Sequence, residues 1–315
     1  MTEVILCLDI GGTNCRFGLV DRESQIYGQK ITATAALAEQ GFMEGLVEQL
    51  LRYVTRFGEQ FRIRAISLGF PSTIDRTRRC VLSTPNIPGL DNIPVVDYLK
   101  ERMQMPVFLE RDVNMLLLHD IKCFGLLGEK IVVGIYFGTG IGNGIFINGD
   151  LLYGRNGVAG ELGHIPQLQS HNQCGCGNPS CVEAMGGGKY LEELCEREFP
   201  GTRIKDVYRL HRDRPQIRAQ VEAMGAAVAC EVNILDPDYV ILGGGLLQMA
   251  DFPVDLLEQY IRKHTRKPHP ERNLRLLFSQ AGQENGVIGA GIYGWRMLSQ
   301  QRFCSESGSA VPARA

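Results

Sequence analysis

Residues 4–20 read VILCLDIGGTNCRFGLV, two apolar runs that are separated by a pair of glycines and a threonine. The stretch predicts a strand from Val4 to Ile10, a glycine hairpin, and a second strand from Arg16 to Val20. Backbone N–H groups can converge on a phosphate at such a turn, because glycine places no side chain in the way. One turn of this kind is more often a plain hairpin, so these glycines alone are a weak phosphate signal.

A similar turn follows a strand in the second half of the chain. Ile131 to Phe137 predicts a buried strand, the run GTGIGNG occupies residues 138–144, and Ile145 to Ile147 predicts the next strand. We interpret the two turns as an internal duplication that gives two related domains on either side of a cleft. A nucleotide would bridge both hairpins. Asp9, a costly carboxylate at the end of a buried strand, would then orient Mg²⁺ through water.

The remaining pattern alternates helices with strands and predicts an α/β fold. Pro106 to Leu109 is a short strand that delivers Glu110, Arg111, Asp112 and Asn114 at its carboxyl end. The basic turn with Arg76, Arg78 and Arg79 is interpreted as a solvated loop. The other predicted elements are helices at 42–57, 115–124, 190–198, 217–234 and 287–298, with strands at 63–70 and 239–242.

Composition excludes several classes of protein. The chain has 315 residues, 44% of them hydrophobic, and a net charge of -2, which gives no general attraction to nucleic acid or to a membrane surface. The apolar run at Val4 is too short for a signal peptide or a membrane span, and a cytoplasmic location is expected. Most of the ten cysteines stand singly in apolar surroundings, as at 7, 80, 123, 195 and 230, and are interpreted as reduced core residues.

One imidazole and three thiols form a candidate metal site. His164, Cys174, Cys176 and Cys181 provide the ligand set of a tetrahedral Zn²⁺, and four protein ligands leave no open position, so the role would be structural. A metal-fixed loop would also hold Glu161 and Glu183 in place, as rigid partners for sugar hydroxyls. Taken singly, either glutamate is more simply a surface residue.

Together these features resemble the ROK family of sugar kinases, over nearly the whole chain up to about Leu298. The motifs that carry the resemblance are LDIGGT (8–13), TPNIPG (84–89), ERDVN (110–114), GTGIG (138–142), GELGH (160–164), the cysteine cluster through Glu183, and GGG (243–245). The resemblance implies the actin-like (ribonuclease H-like) ATPase fold of two α/β domains, with sugar and ATP in the cleft. It also implies a homodimer.

The domain boundaries expected on this basis are as follows. Residues 1–118, with about 288–300, would form a small α/β domain, and 119–287 a larger one that carries the zinc site. Residues 301–315 are rich in small and polar types and are expected to be a disordered tail.

The resemblance also implies roles for particular residues. Asp112 matches the general base, which would accept the proton of the sugar's 6-hydroxyl. Without the resemblance, an aspartate at this position is equally typical of a helix cap. The sugar contacts would be Asn86, Glu161, His164 and Glu183, besides Arg111 and Asp112. The ATP and Mg²⁺ contacts would be Asp9, Gly11, Gly12, Thr13, Gly138, Thr139, Gly140, Gly142, Gly243, Gly244 and Gly245.

Arg111 departs from the family pattern, which usually has asparagine before the catalytic aspartate. The substrate pocket is therefore expected to differ locally, and the charge of Arg111 would lower the pKa of Asp112. The motifs around Arg111, Gly163 and Cys176 are most like those of D-allose kinases within the family. D-Allose is thus the leading substrate among the hexoses.

Three alternatives stay open. The first is a kinase for another hexose, namely glucose, fructose, N-acetylmannosamine or N-acetylglucosamine. The chain would otherwise be a sugar-sensing transcriptional regulator without its DNA-binding part, since the family also contains repressors. A zinc-binding interaction module would explain the cysteines but neither glycine hairpin. For the kinase, loss of zinc is expected to weaken sugar affinity more than ATP affinity.

Overall fold

The computed structural model describes residues 1–39, 41–84, 87, 89–168 and 172–306, without the side chains of residues 302–306. Its strands are β1 (Thr2–Ile10), β2 (Asn14–Val20), β3 (Ile26–Ala33), β4 (Phe61–Phe70), β5 (Thr73–Ile74), β6 (Val81–Ser83), β7 (Val107–Arg111), β8 (Ile131–Phe137), β9 (Ile141–Ile147), β10 (Asp150–Leu151), β11 (Tyr239–Gly243) and β12 (Leu276–Phe278). Its α-helices are α1 (Thr34–Leu37), α2 (Phe42–Phe57), α3 (Val95–Met103), α4 (Asp112–Cys123), α5 (Glu183–Gly186), α6 (Gly188–Glu198), α7 (Val207–His211), α8 (Pro215–Leu235), α9 (Val254–His264) and α10 (Asn285–Glu306).

The chain divides into two compact units. The first comprises Met1–His119, Tyr153–Val158 and the chain from Gly282 onward, and the second comprises Asp120–Leu152 and Ala159–Ala281. The short segment Tyr153–Val158 was expected in the second domain. It lies in the first unit because Tyr153 stacks against the guanidinium of Arg78, with 4.1 Å from Cζ to the ring centroid.

A five-stranded sheet forms the centre of the first unit, in the order β3-β2-β1-β4-β7. β1 pairs antiparallel with β2 and parallel with β4, and β4 pairs parallel with β7. Both faces of β1 are covered, which is why its residues from Val4 to Leu8 are all apolar and buried. Parallel strands end at the same edge of a sheet, so the carboxyl ends of β1, β4 and β7 lie side by side.

The second unit has a sheet of the same design, in the order β10-β9-β8-β11-β12. Here β8 pairs antiparallel with β9 and parallel with β11, and β11 pairs parallel with β12. In each unit the first strand therefore runs into a hairpin and also has a parallel neighbour. The expected α/β duplication is confirmed at the level of strand order.

Each unit has its own hydrophobic core. In the first, α2 presents Leu46, Leu50 and Tyr53 to the apolar side chains of the sheet. In the second, α8 and α9 contribute to a core that also includes Val133 and Ile135 of β8. Among the described residues, no helix combines the length and the apolar character that a bilayer crossing requires.

The cysteines only partly follow the expectation. All nine with described side chains are free, and Cys7 and Cys195 are buried as predicted. Cys123 and Cys230 are exposed, so their assignment to the core was wrong. Each lies on a helix, and a helix has 3.6 residues per turn. Neighbours in an apolar stretch therefore face different sides of the helix, and one of them can face solvent.

The last helix is longer than expected. α10 runs from Asn285 to Glu306, whereas the apolar pattern predicted 287–298 and placed a disordered tail from residue 301. The backbone of residues 301–306 continues the helix, so the expectation of a disordered tail was wrong for these six residues. Residues 307–315 lie outside the described part of the chain.

Candidate active site

Gly11, Gly12 and Thr13 form the turn between β1 and β2 in the first unit. The turn is closed by a hydrogen bond from the Gly11 N–H to the carbonyl of Asn14, at 2.9 Å. Thr34 holds it from the side of α1, because its hydroxyl donates to the Gly11 carbonyl at 2.6 Å and its N–H donates to the Thr13 carbonyl at 2.9 Å. Gly12 and Thr13 are exposed at the tip, where an anion can reach the backbone.

Asp9 lies on β1 just before this turn. Its Oδ2 is 3.5 Å from Nη1 of Arg16, which faces it across the β1–β2 pair. Burial and the neighbouring carboxylate of Asp112 raise the pKa of Asp9 to about 6, against partial compensation by Arg16. Two neighbouring carboxylates repel each other, and a hard divalent cation offsets that repulsion. Mg²⁺ suits such a site because it prefers oxygen ligands and favours the ionised form of the carboxylates.

Asp112 stands where β7 ends and α4 begins. Its Oδ1 accepts a hydrogen bond from the N–H of Val113 at 2.8 Å, so the side chain does serve the start of the helix. Burial raises the pKa of Asp112, opposed by that hydrogen bond and by the charge of Arg111. Arg111 acts in the expected direction, but the cost of burial outweighs it. A carboxylate with a raised pKa is a stronger proton acceptor once it is ionised.

Glu110 anchors this junction; the sequence placed it at the carboxyl end of the strand but gave it no role. It is fully buried, and its Oε1 accepts hydrogen bonds from the N–H of Arg111 at 2.8 Å and from Nδ2 of Asn114 at 3.0 Å. Nη2 of Arg78 lies 3.4 Å from the same oxygen. The backbone that presents Asp112 is therefore fixed by a buried carboxylate and its counter-charge.

Arg78 is the side chain whose sequence interpretation was wrong. It was assigned to a solvated loop, yet 9% of its side chain is exposed and it forms the buried pair with Glu110. The carboxylate of Asp75 accepts hydrogen bonds from the N–H groups of Arg79 and Cys80, and the resulting turn aims Arg78 inward with a left-handed φ of 57°. The sequence predicted that all three arginines are exposed, because a run of charged residues does not show which of them turns toward the interior.

Gly138, Thr139 and Gly140 form the turn between β8 and β9 in the second unit. The turn is shorter than the glycine-rich run suggested, because the buried Ile141 already belongs to β9 and Gly142 pairs with Tyr136 of β8. The Gly138 N–H donates to the Gly140 carbonyl at 2.9 Å and closes the turn.

Gly243, Gly244 and Gly245 lie next to this second hairpin. β11 is the parallel neighbour of β8, and the N–H of Leu246 donates to the carbonyl of Phe137 at 3.0 Å. Gly244 has a φ of 96°, and a Cβ there would collide with the backbone of Phe137, so only glycine fits. Two glycine turns thus share one edge of the sheet.

The four predicted metal ligands come together in the second unit. His164 ends a short 3-10 turn, Cys174 and Cys181 are buried and Cys176 is exposed, and their ligand atoms all lie within 4.8 Å of one another. Sγ of Cys174 is 3.6 Å from Nδ1 of His164, and Sγ of Cys176 is 3.7 Å from Sγ of Cys181.

These separations suit a tetrahedral ion. Bonds of about 2.3 Å to sulfur and about 2.0 Å to nitrogen place neighbouring ligand atoms roughly 3.5 to 3.8 Å apart. The sulfurs are far too distant for a disulfide, whose S–S bond is about 2.0 Å. Burial raises the pKa of Cys174 and Cys181, while the N–H of Asn178 lowers that of Cys176. The residues present fit Zn²⁺, which favours thiolates.

The other ring nitrogen of His164 points away from the thiols. Nε2 lies 3.5 Å from Oε2 of Glu161, which is partly exposed. A metal on Nδ1 would leave Nε2 protonated, so this nitrogen and the Glu161 carboxylate could serve a polar ligand as donor and acceptor. Glu183, the first residue of α5, uses its Oε2 to accept a hydrogen bond from the Ile141 N–H at 2.8 Å.

The structure thus assembles the predicted residues in two groups. Asp9, the first hairpin, Arg111 and Asp112 lie at one sheet edge of the first unit. The second unit contains the second hairpin, Gly243 to Gly245, Glu161, Glu183 and the candidate metal cluster of His164, Cys174, Cys176 and Cys181. Asn86, the remaining predicted sugar contact, is outside the described residues.

A comparison with protein families matches the chain to the model of the ROK family over residues 5–294. Among curated proteins, it is 27% identical over 307 residues to a glucokinase of Thermotoga maritima, covering 91% of this chain and 95% of that protein. It is 28% identical over 306 residues to an N-acetyl-D-glucosamine kinase of Escherichia coli O157:H7, covering 90% of this chain and 96% of the relative.

Solved structures give the same picture. The ROK family glucokinase of Streptomyces griseus, crystallised with glucose and AMPPNP, superposes with a TM-score of 0.75 at 27% identity. The match covers 92% of this chain and 98% of that one. This likeness confirms the expected actin-like fold.

Proposed function

Because this chain belongs to the ROK family, we propose that it is a sugar kinase that transfers the γ-phosphate of ATP to a hexose. The observation that carries the proposal is Asp112, a carboxylate with a raised pKa at the carboxyl end of β7, beside Asp9 and at the edge where the first glycine hairpin lies. Phosphoryl transfer needs chiefly such positioning and charge neutralisation.

In the proposed reaction, the Asp112 carboxylate accepts the proton of the sugar's 6-hydroxyl. The hydroxyl oxygen forms a bond to the γ-phosphorus while the bond from that phosphorus to the bridging oxygen of ADP breaks. ADP and the hexose 6-phosphate leave, and Asp112 returns its proton to water. Glu110 and Arg111 keep the base in place during this exchange.

The nucleotide is assigned to the glycine turns. The turns at Gly11 to Thr13 and at Gly138 to Gly142 bind phosphate oxygens through those N–H groups that make no hydrogen bond within the protein. Gly243 to Gly245 line the nucleotide on the second unit. Asp9 would orient Mg²⁺, which would neutralise phosphate charge.

The sugar is assigned to the polar side chains of both groups. Asn86, Arg111, Glu161, His164 and Glu183 bind its hydroxyls. His164, Cys174, Cys176 and Cys181 hold a structural Zn²⁺, supported by the ligand distances of the cluster. With Zn²⁺ held on Nδ1, His164 would keep a proton on Nε2 and could donate it to a sugar hydroxyl.

D-Allose is the hexose that we propose as the best substrate, on the strength of the motifs around Arg111, Gly163 and Cys176. The named relatives act on glucose and N-acetylglucosamine, and these are the nearest competitors. Family resemblance also supports a homodimer, which light scattering on the purified protein would test.

A coupled assay of ADP release with Mg-ATP distinguishes the substrates. It should be run with allose, glucose, mannose, fructose, N-acetylmannosamine and N-acetylglucosamine at matched concentrations. We expect turnover with at least one hexose and the highest kcat/KM with allose. A higher kcat/KM for another hexose contradicts the allose assignment alone. Absence of turnover with every sugar, in a folded protein, contradicts the kinase and favours the regulator.

A further inference from the structure

The carboxylate of Glu183 contacts the second glycine hairpin directly. Its Oε2 accepts the Ile141 N–H at 2.8 Å, at the residue where the hairpin becomes β9. Gly140 leaves room for this contact, because a Cβ at that position would overlap the Glu183 carboxylate. A side chain that was expected to serve only the sugar therefore also supports the turn assigned to the nucleotide.

The backbone around Glu183 is joined to the same hairpin. At the start of α6, the N–H of Gly188 donates to the Gly138 carbonyl at 2.9 Å, and the N–H of Lys189 donates to the Thr139 carbonyl at 3.0 Å. Both carbonyl groups belong to the turn itself. The shape of the turn thus depends on where the chain from Glu183 to Lys189 lies.

The metal cluster fixes that part of the chain from the other side. Cys181 is two residues before Glu183, and the N–H of Val182 donates to the Ile165 carbonyl, next to His164, at 3.0 Å. Val182 also packs in one hydrophobic cluster with Ile141 of the hairpin strand. An unbroken series of bonds and packed side chains leads from the thiols to the hairpin, entirely within the second unit.

We propose that Glu183 is a positioning residue that couples the metal cluster and the bound sugar to nucleotide affinity, an inference that rests on the proposed kinase function. A carboxylate has two oxygens with acceptor capacity. Oε2 holds the hairpin through Ile141, while Oε1 accepts a sugar hydroxyl. Sugar bound to Oε1 fixes the carboxylate and thereby fixes the phosphate-binding turn.

Two consequences follow for binding. By reciprocity, a hexose that raises nucleotide affinity through Glu183 has its own affinity raised by nucleotide to the same extent, and such couplings are commonly about 5- to 150-fold. Loss of the metal should weaken nucleotide binding as well as sugar binding. This differs from the expectation drawn from sequence, in which zinc supported mainly the sugar.

The test measures the Kd of a non-hydrolysable ATP analogue with Mg²⁺ by calorimetry, with and without the hexose that the screen identifies. Glu183→Ala removes the acceptor, and we expect a Kd about tenfold higher without sugar and no enhancement by sugar. Glu183→Gln retains an oxygen that can accept the Ile141 N–H, so its Kd without sugar should stay near that of the unmodified protein. Glu161→Ala is the matched control, since Glu161 faces His164 and should affect sugar affinity only.

The outcomes separate the inference from the function on which it rests. If the unmodified protein binds no nucleotide, the kinase proposal fails. If it binds nucleotide and Glu183→Ala has the same Kd and the same response to hexose, the coupling proposal is overturned. Should Glu183→Ala not fold, the response of Gly140→Ala to hexose decides, because its methyl group must displace the Glu183 carboxylate and should therefore abolish the enhancement of nucleotide affinity by sugar. A metal-stripped protein that remains folded and keeps its nucleotide Kd would also contradict the proposal.

Discussion

At the scale of single residues, the first unit concentrates negative charge where it is costly. Burial raises the pKa of both Asp9 and Asp112, the charge of Asp112 adds to the effect on Asp9, and Glu110 is fully buried two residues before Asp112. Arginines offset part of this cost, with Arg16 at Asp9, Arg78 at Glu110 and Arg111 at Asp112. The balance between burial and these cations sets the pH range in which the base is ionised.

Replacing Arg111 should shift that range. Arg111 favours the charged form of Asp112, so Arg111→Asn should raise the pKa of the base above that in the unmodified protein. Since the ionised form is the active one, the acidic limb of kcat against pH should move to higher pH by the same amount. Steady-state rates at saturating hexose and Mg-ATP measure it.

Arg111→Lys is the control for that shift. It keeps the charge, so its acidic limb should stay near that of the unmodified protein even if hexose KM changes. An unshifted limb in Arg111→Asn would mean that the arginine has no electrostatic influence on the base.

At the scale of elements, the turn from Asp75 to Cys80 supports the junction of β7 and α4. Its hydrogen bonds to the Asp75 carboxylate direct Arg78 to Glu110, and the stacking of Arg78 on Tyr153 adds the segment after β10. Burial and the Glu110 carboxylate raise the pKa of the neighbouring Tyr293 of α10, so this phenol stays protonated. Four separate parts of the chain thus converge on one ion pair.

Breaking this pair should destabilise the protein. Arg78→Met leaves the Glu110 carboxylate buried without its counter-charge, and removing one partner of a buried pair costs about 3 to 5 kcal/mol. The double variant Arg78→Met/Glu110→Gln removes both charges while keeping an acceptor for Arg111 and Asn114, so it should recover at least half of the loss. Urea unfolding measures both. A cost below about 1 kcal/mol for Arg78→Met would place this side chain in solvent instead.

Sequence patterns predicted the regular elements well where one face is continuously apolar. The helix Phe42–Phe57 and the strand Ile131–Phe137 have the predicted bounds, since their apolar periods are clear. The strand Ile26–Ala33 and the helices Val95–Met103 and Val254–His264 were not predicted. None of the residues of that strand is fully buried, because it lies at the edge of its sheet. The contacts of Arg78, Glu110 and Glu183 join parts of the chain that are distant in sequence, and no local pattern carries such information.

At the scale of the whole molecule, two sheets of the same strand order carry different candidate functional residues. The first unit has the candidate base and the carboxylate proposed to orient Mg²⁺, and the second has the candidate metal cluster and most of the candidate sugar contacts. The glycine hairpin after the first strand is common to both. The two copies of the α/β sheet thus share the glycine hairpin proposed to bind phosphate and differ in the side chains around it.

The measurement that tests the kinase account most directly is turnover by Asp112→Asn. The amide cannot take the proton of the hydroxyl, while its size and its ability to accept the Val113 N–H are preserved. With the hexose that the screen identifies, we expect kcat to fall by about 10² to 10⁴-fold, the usual contribution of a general base. Hexose Kd by calorimetry should change less than about threefold, because the same hydroxyl can still hydrogen-bond there. Undiminished kcat in Asp112→Asn would contradict the assignment of the base and with it the proposed mechanism.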